Sequence, residues 1–112
     1  MKFYKNLYVS DGYKKKKEDL IQRMRDGKYP FTAYILALIE NGENQMEFYS
    51  TALLYQNYLQ TENIFVVGLA ESYMDAVYMV EDITREVYEK TGTADIRAYI
   101  RLQEMQLTET EK

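Results

Sequence analysis

The stretch Ser10-Asp11-Gly12-Tyr13, followed by Lys14-Lys15-Lys16-Lys17, is where this chain has residues suited to binding chemistry. It lies where a strand-like segment gives way to a helical one, and a helix start offers unbonded N–H groups and a positive dipole end to an anion. A run of lysines in the first turn opposes that dipole, a conflict that a bound phosphate or carboxylate relieves. Ser10, Gly12, Lys14 and Lys15 are therefore the candidate ligands of a small anion. The run lacks the glycine-rich stretch and Gly-Lys-Ser/Thr ending of a nucleotide-binding loop. The plainer reading is a solvated basic face partly neutralised by Glu18 and Asp19.

A second place is the junction Val67-Gly68-Leu69-Ala70-Glu71-Ser72, because ligands of α/β sheets gather where strand ends meet helix starts. Glu71 and Asp75 put negative charge there and exclude phosphate, so Gly68 reads as a packing position that brings a helix close to the sheet. Catalysis finds little to work with. The chain has no His and no Cys, which removes histidine bases, thiol nucleophiles and zinc–thiolate or iron–sulfur sites. Carboxylates, Tyr and Lys are left, and a carboxylate needs burial or a close partner to work near neutral pH. Glu47 alone sits in a largely apolar strand and reads as a water-facing edge residue; no carboxylate pair stands out by spacing. Asp95 and Arg97 read as ordinary helix capping, and Met74 and Met79 as core gap-fillers. No catalytic residue, metal or cofactor is expected.

A net charge of −4 opposes general nucleic-acid binding. The 12 Tyr with no Trp suit a partner-binding surface, though a drift of composition toward Lys, Tyr, Asn and Ile produces the same counts. The start of the chain has no apolar leader segment and no apolar run is long enough to span a bilayer, so a cytoplasmic location away from membranes is expected. At 112 residues, 46% of them hydrophobic, the chain has the length and apolar content for one core.

The elements that must position these residues follow from pattern. Residues 3–9 read as a strand and 13–26 as a helix, closed by Gly27 and stopped by Tyr29-Pro30. Residues 31–39 are a strand apolar on both sides, Asn41-Gly42 favours a hairpin turn, and 45–54 is the returning strand. Residues 55–63 show no clear period and have room for one helical turn. Residues 64–70 form the clearest strand, and Ser72 with Asp75 caps a helix over 73–90 that Gly92 closes. After Thr93 both a helix and a strand fit; the reading here is a short helix capped by Thr93, with a frayed polar tail over 108–112.

This order, βαβββα and a short C-terminal helix, implies one α+β domain over residues 1–107. It is two-layered, with a mixed sheet of about four strands, a crossover through the first helix, a meander in the middle, and the helices packed on one face. Such a sheet is about 19 Å wide and two helices of about 10 Å shelter one side only. The other side would stay apolar and open, so the sequence points to a homodimer closing through Ala33, Ile35, Ala37, Tyr49 and Leu53, against a monomer whose last helix folds under the sheet. The functional reading is a non-catalytic interaction or regulatory domain with a possible protein partner. The alternatives are a small-anion binder or modest enzyme at Ser10 to Lys17, and a nucleic-acid accessory protein.

Overall fold

A computed structural model of the chain describes residues 1–30, 32–40, 44–55 and 61–110. Strand β1 (Lys2–Val9) leads through a 3-10 turn (Asp11–Lys16) into helix α1 (Lys17–Arg25), then come strands β2 (Tyr34–Ile39) and β3 (Glu47–Ser50). A one-turn helix α2 (Ala52–Tyr55) and a 3-10 turn (Thr61–Asn63) precede strand β4 (Ile64–Ala70) and helices α3 (Tyr73–Thr91) and α4 (Ile96–Thr110). The strands make one mixed sheet of four, in the order β1-β4-β2-β3, which is the α+β class expected from the sequence.

β1 runs parallel to β4, and β2 is antiparallel to both β4 and β3. The expected meander is therefore corrected: β4 returns between β1 and β2. The reason is polarity, since β4 is apolar on both sides and needs both edges paired, whereas β1 with Lys2, Lys5 and Asn6 tolerates an edge. β1 and β2 point in opposite directions, so α1 is not a crossover between parallel neighbours. β1 also bulges, advancing from Phe3 to Tyr8 while β4 advances only from Val66 to Gly68.

The helices do not share a face, which corrects the two-layer expectation. α1 sets Leu20, Ile21 and Met24 against Leu7, Ile35, Ala37, Val66 and Leu69. On the other side α3 and α4 set Met79, Ile83, Val87, Tyr99 and Ile100 against Tyr4, Leu36, Leu38 and Val67. α4 is 15 residues long rather than short, and beside α3 it supplies the width one face needs, leaving α1 to dry the other.

Local chemistry sets the ends of the elements. Gly27 takes φ 80° just past α1, and the N–H of Lys28 reaches back to the carbonyl of Arg23 at 2.8 Å. Ser72 accepts the N–H of Asp75 at 3.1 Å and starts α3, as its sequence predicts, and Gly92 closes it at φ 76°. α4 is helical, but Asp95 caps it by accepting the N–H of Ala98 at 3.1 Å, while Thr93 accepts the N–H of Asp95. Helix extends through Thr110, into the polar tail; 111–112 lie outside the described residues. β3 ends at Ser50, short of the expected 54, because the fully buried Thr51 turns inward to the carbonyls of Pro30 and Ala33. Ser50 then accepts the N–H of Ala52 at 3.2 Å and starts α2. The Asn41-Gly42 turn, the start of the second strand at Phe31, and residues 56–60 lie outside the described residues. Among those described, no helix is long and apolar enough to cross a membrane.

Candidate functional site

Two segments that look separate in the sequence meet in the fold. β1 and β4 are parallel neighbours, yet β1 leads to α1 on one face and β4 to α3 on the other. A crevice opens at the carboxyl ends of such a pair. Here it has a volume of about 540 Å³ and lies between the 3-10 turn after β1 and the start of α3. Ser10 ties its walls together: its N–H donates to the carbonyl of Leu69 (3.1 Å), its hydroxyl donates to Asp75 (3.2 Å), and its Oγ accepts the N–H of Glu71 (3.0 Å). Ser10 is buried and, although a serine ahead of a helical turn is a common cap, it makes no cap bond to its own turn. It joins strand ends instead.

The crevice is acidic. Asp11, Glu71, Asp75 and Asp82 line it against Lys14 alone among basic residues, and the Lys14 ammonium is already paired with Asp11 at 2.8 Å. That pairing holds the Asp11 carboxyl below its ordinary range. Gly12 faces the chain's own Glu71, whose Oε1 would stand 2.0 Å from a Cβ placed there. Burial, with the Glu71 carboxylate adding, pushes the Tyr13 hydroxyl up. Thus Ser10 and Lys14 line the crevice, Gly12 packs against Glu71 outside its lining, and Lys15 is exposed and outside the lining too. The negative charge beside the 3-10 turn comes from Glu71 itself. Gly68 is a packing position, since a Cβ there would stand 2.7 Å from the Met79 sulfur. Among the described residues no group of three acidic, His or Cys side chains is placed to hold a metal.

The residues expected at a dimer interface divide. Ala33, Ile35 and Ala37 are fully buried under the chain's own α1 and α2, so no second copy is needed to cover them; one turn of leucine, isoleucine and methionine on α1 supplies the shelter. Leu53 and Tyr49 are half-buried, and Tyr49 lies on β3, at the sheet's outer edge. Aromatic rings collar that edge on both faces. Phe48 meets Tyr73 at 5.6 Å and Tyr34 at 6.4 Å on the α3 side, and Tyr29 meets Tyr55 edge-on at 5.3 Å on the α1 side. Tyr73 is 53% exposed and Tyr55 50%. Beside Tyr73, Met74 and Tyr78 are also exposed, and Met74 is not the core filler expected. Burial, then a hydrogen bond to Glu47, raises the Tyr49 hydroxyl. Glu47 is half-buried at this edge and also accepts from Asn44 at 3.0 Å.

Two groups of residues carry no signal in the sequence. Tyr8 on β1 donates to Glu86 of α3, which pairs with Lys90 at 3.8 Å, and burial followed by this bond raises the Tyr8 hydroxyl. Tyr4, 2% exposed, is pushed up to about 12, first by burial and then by Tyr99. A second cavity of about 610 Å³ opens beside the outer half of α4, lined among others by Leu38, Phe65, Met105, Glu40, Arg101 and Glu104. Glu86 and Lys90 are a same-helix pair four residues apart, but periodicity shows neither the Tyr8–Glu86 bond, the Tyr4–Tyr99 proximity nor this cavity, because each joins elements far apart in the chain. Compared with family models, curated proteins and solved structures, the chain matches none.

Proposed function

We propose that this protein is a non-catalytic interaction domain of the cytoplasm that engages a protein partner by accepting an added strand at β3. The observation that carries the reading is the open edge itself: no described strand pairs with the outer side of β3, and exposed aromatic rings flank it on both faces. An unpaired edge offers a row of N–H and C=O groups, and rings on either face offer pockets for alternate side chains of an incoming strand. Rigid amphipathic Tyr gives such contacts at low entropic cost. The small-anion reading at Ser10 to Lys17 is weaker, because carboxylates dominate the crevice and Lys14 is already paired. Nucleic-acid binding is weaker still against the net charge of −4.

Extended peptides that alternate aromatic and polar residues, titrated into isotope-labelled protein, test the reading. Amide shifts are expected at Met46 to Ser50 and around Tyr34 and Tyr73, and are expected to vanish in Phe48→Pro, which lacks an edge N–H. Shifts confined to the acidic crevice, or unchanged in Phe48→Pro, would overturn it.

A further inference from the structure

Resting on the β3 edge as the working surface, we infer that its partner is a second copy of this chain, joined β3 to β3 in antiparallel register with Phe48 on the two-fold axis. Hydrogen-bond parity requires the even-numbered residues of the two copies to form the bonded pairs, and of such registers the one centred on Phe48 matches all three outward positions of the strand. The N–H of Thr51 donates to the carbonyl of Ala33 at 2.9 Å, and the same pairing continues as Ile35 opposite Tyr49 and Leu36 opposite Phe48. Bonded and non-bonded pairs alternate in an antiparallel ladder, so Tyr49 spends its backbone groups on β2 while those of Met46, Phe48 and Ser50 point outward. A two-fold axis perpendicular to the sheet at Phe48 keeps like faces together. It sets Phe48 opposite Phe48 of the partner copy and Met46 opposite the partner copy's Ser50, all three positions with outward backbone groups.

The side chains on this register are complementary. Glu47, the one charged residue between Met46 and Ser50, falls opposite the partner copy's Tyr49, so a carboxylate meets a hydroxyl and no like charges face each other. This is the same acceptor–donor pairing that Glu47 and Tyr49 make within one chain. On the α3 side, the Tyr34, Phe48 and Tyr73 rings of each copy meet across the axis through the two Phe48 rings. The result is a continuous eight-stranded sheet, and the other edge, β1, is partly capped because Glu104 of α4 accepts the N–H of Lys5 at 2.9 Å.

The chain has no cysteine, so one introduced thiol reports the register. Directly opposed residues of a bonded pair lie about 5.5 Å apart between Cα atoms, within disulfide range. Under mild oxidation Phe48→Cys is expected to become a disulfide-linked dimer. Ser50→Cys alone is expected to stay reduced, and the double variant Met46→Cys/Ser50→Cys to link, which keeps the test alive should Phe48→Cys fold poorly. Light scattering on the unmodified protein is expected to give twice the chain mass. A monomer at every concentration, with peptide shifts still at β3, overturns the second copy and leaves the edge reading standing. A dimer in which neither Phe48→Cys nor the double variant links overturns the joining through β3, while the edge reading falls only if peptide shifts are absent from β3.

Discussion

At the residue scale, the tyrosines divide by what surrounds them. Tyr4 and Tyr8 are drawn between β1 and α3 on the helix-paired face, where burial favours the neutral phenol, while Tyr73, Tyr78 and Tyr88 stand half or more exposed. Composition counts all of them alike. The buried pair makes a prediction about alkaline stability. Below pH about 10, where an unfolded Tyr is neutral, both states are un-ionised and the native state keeps its full stability. As pH rises toward the folded value of about 12 for Tyr4, the unfolded chain ionises first and stability is lost. Urea midpoints are expected to fall over that window, and Tyr4→Phe to remove about 2 kcal/mol of the fall. An identical fall in Tyr4→Phe would show that this hydroxyl does not contribute. Ser10 gives the same lesson about residues. Its type marks a cap, yet the fold uses it to join Leu69, Glu71 and Asp75.

At the element scale, the strongly patterned segments were legible and the weakly patterned ones were not. β4 and α3 stand almost where their patterns place them, since β4 is a short apolar run and α3 carries both a Ser72 cap and a Gly92 stop. The returning strand fails at Thr51, because alternation alone continues to Leu54 and the Pro30 and Ala33 carbonyls that stop it come from elsewhere. Arg97 likewise reads as capping, but its guanidinium donates to the carbonyls of Asn44 (2.7 Å) and Ile39 (3.1 Å), and its N–H to the Gln45 side chain (3.1 Å). It clasps the end of β2 to the approach to β3 from the first turn of α4. Arg97→Ala is expected to lower unfolding free energy by about 1–3 kcal/mol, as for a lost set of charged hydrogen bonds. Arg97→Lys is expected to restore less than half, since an ammonium lacks the planar fork. Equilibrium denaturation measures both, and full rescue by Lys would reduce the clasp to simple charge.

At the scale of the whole molecule, the proposed joining through β3 would bring together two chains of net charge −4 each, and that repulsion is screened by salt. Little of the charge lies in the edge itself, where Glu47 is the one acidic group. The self-association midpoint, read by sedimentation, is therefore expected to move to lower protein concentration between about 0.05 M and about 0.5 M salt; weakening with salt would point to an interface held by opposite charges. The four-stranded α+β architecture, the two-sided apolar strands and the lack of thiol or imidazole chemistry followed from the amino-acid sequence alone, because they depend on residue types and short-range periodicity. Which face each helix covers, the place of β4 between β1 and β2, the acidic crevice at Ser10 and the open aromatic edge at β3 were decided by tertiary structure. Each depends on residues distant in the chain coming into contact, and local spacing carries no record of which segments will meet.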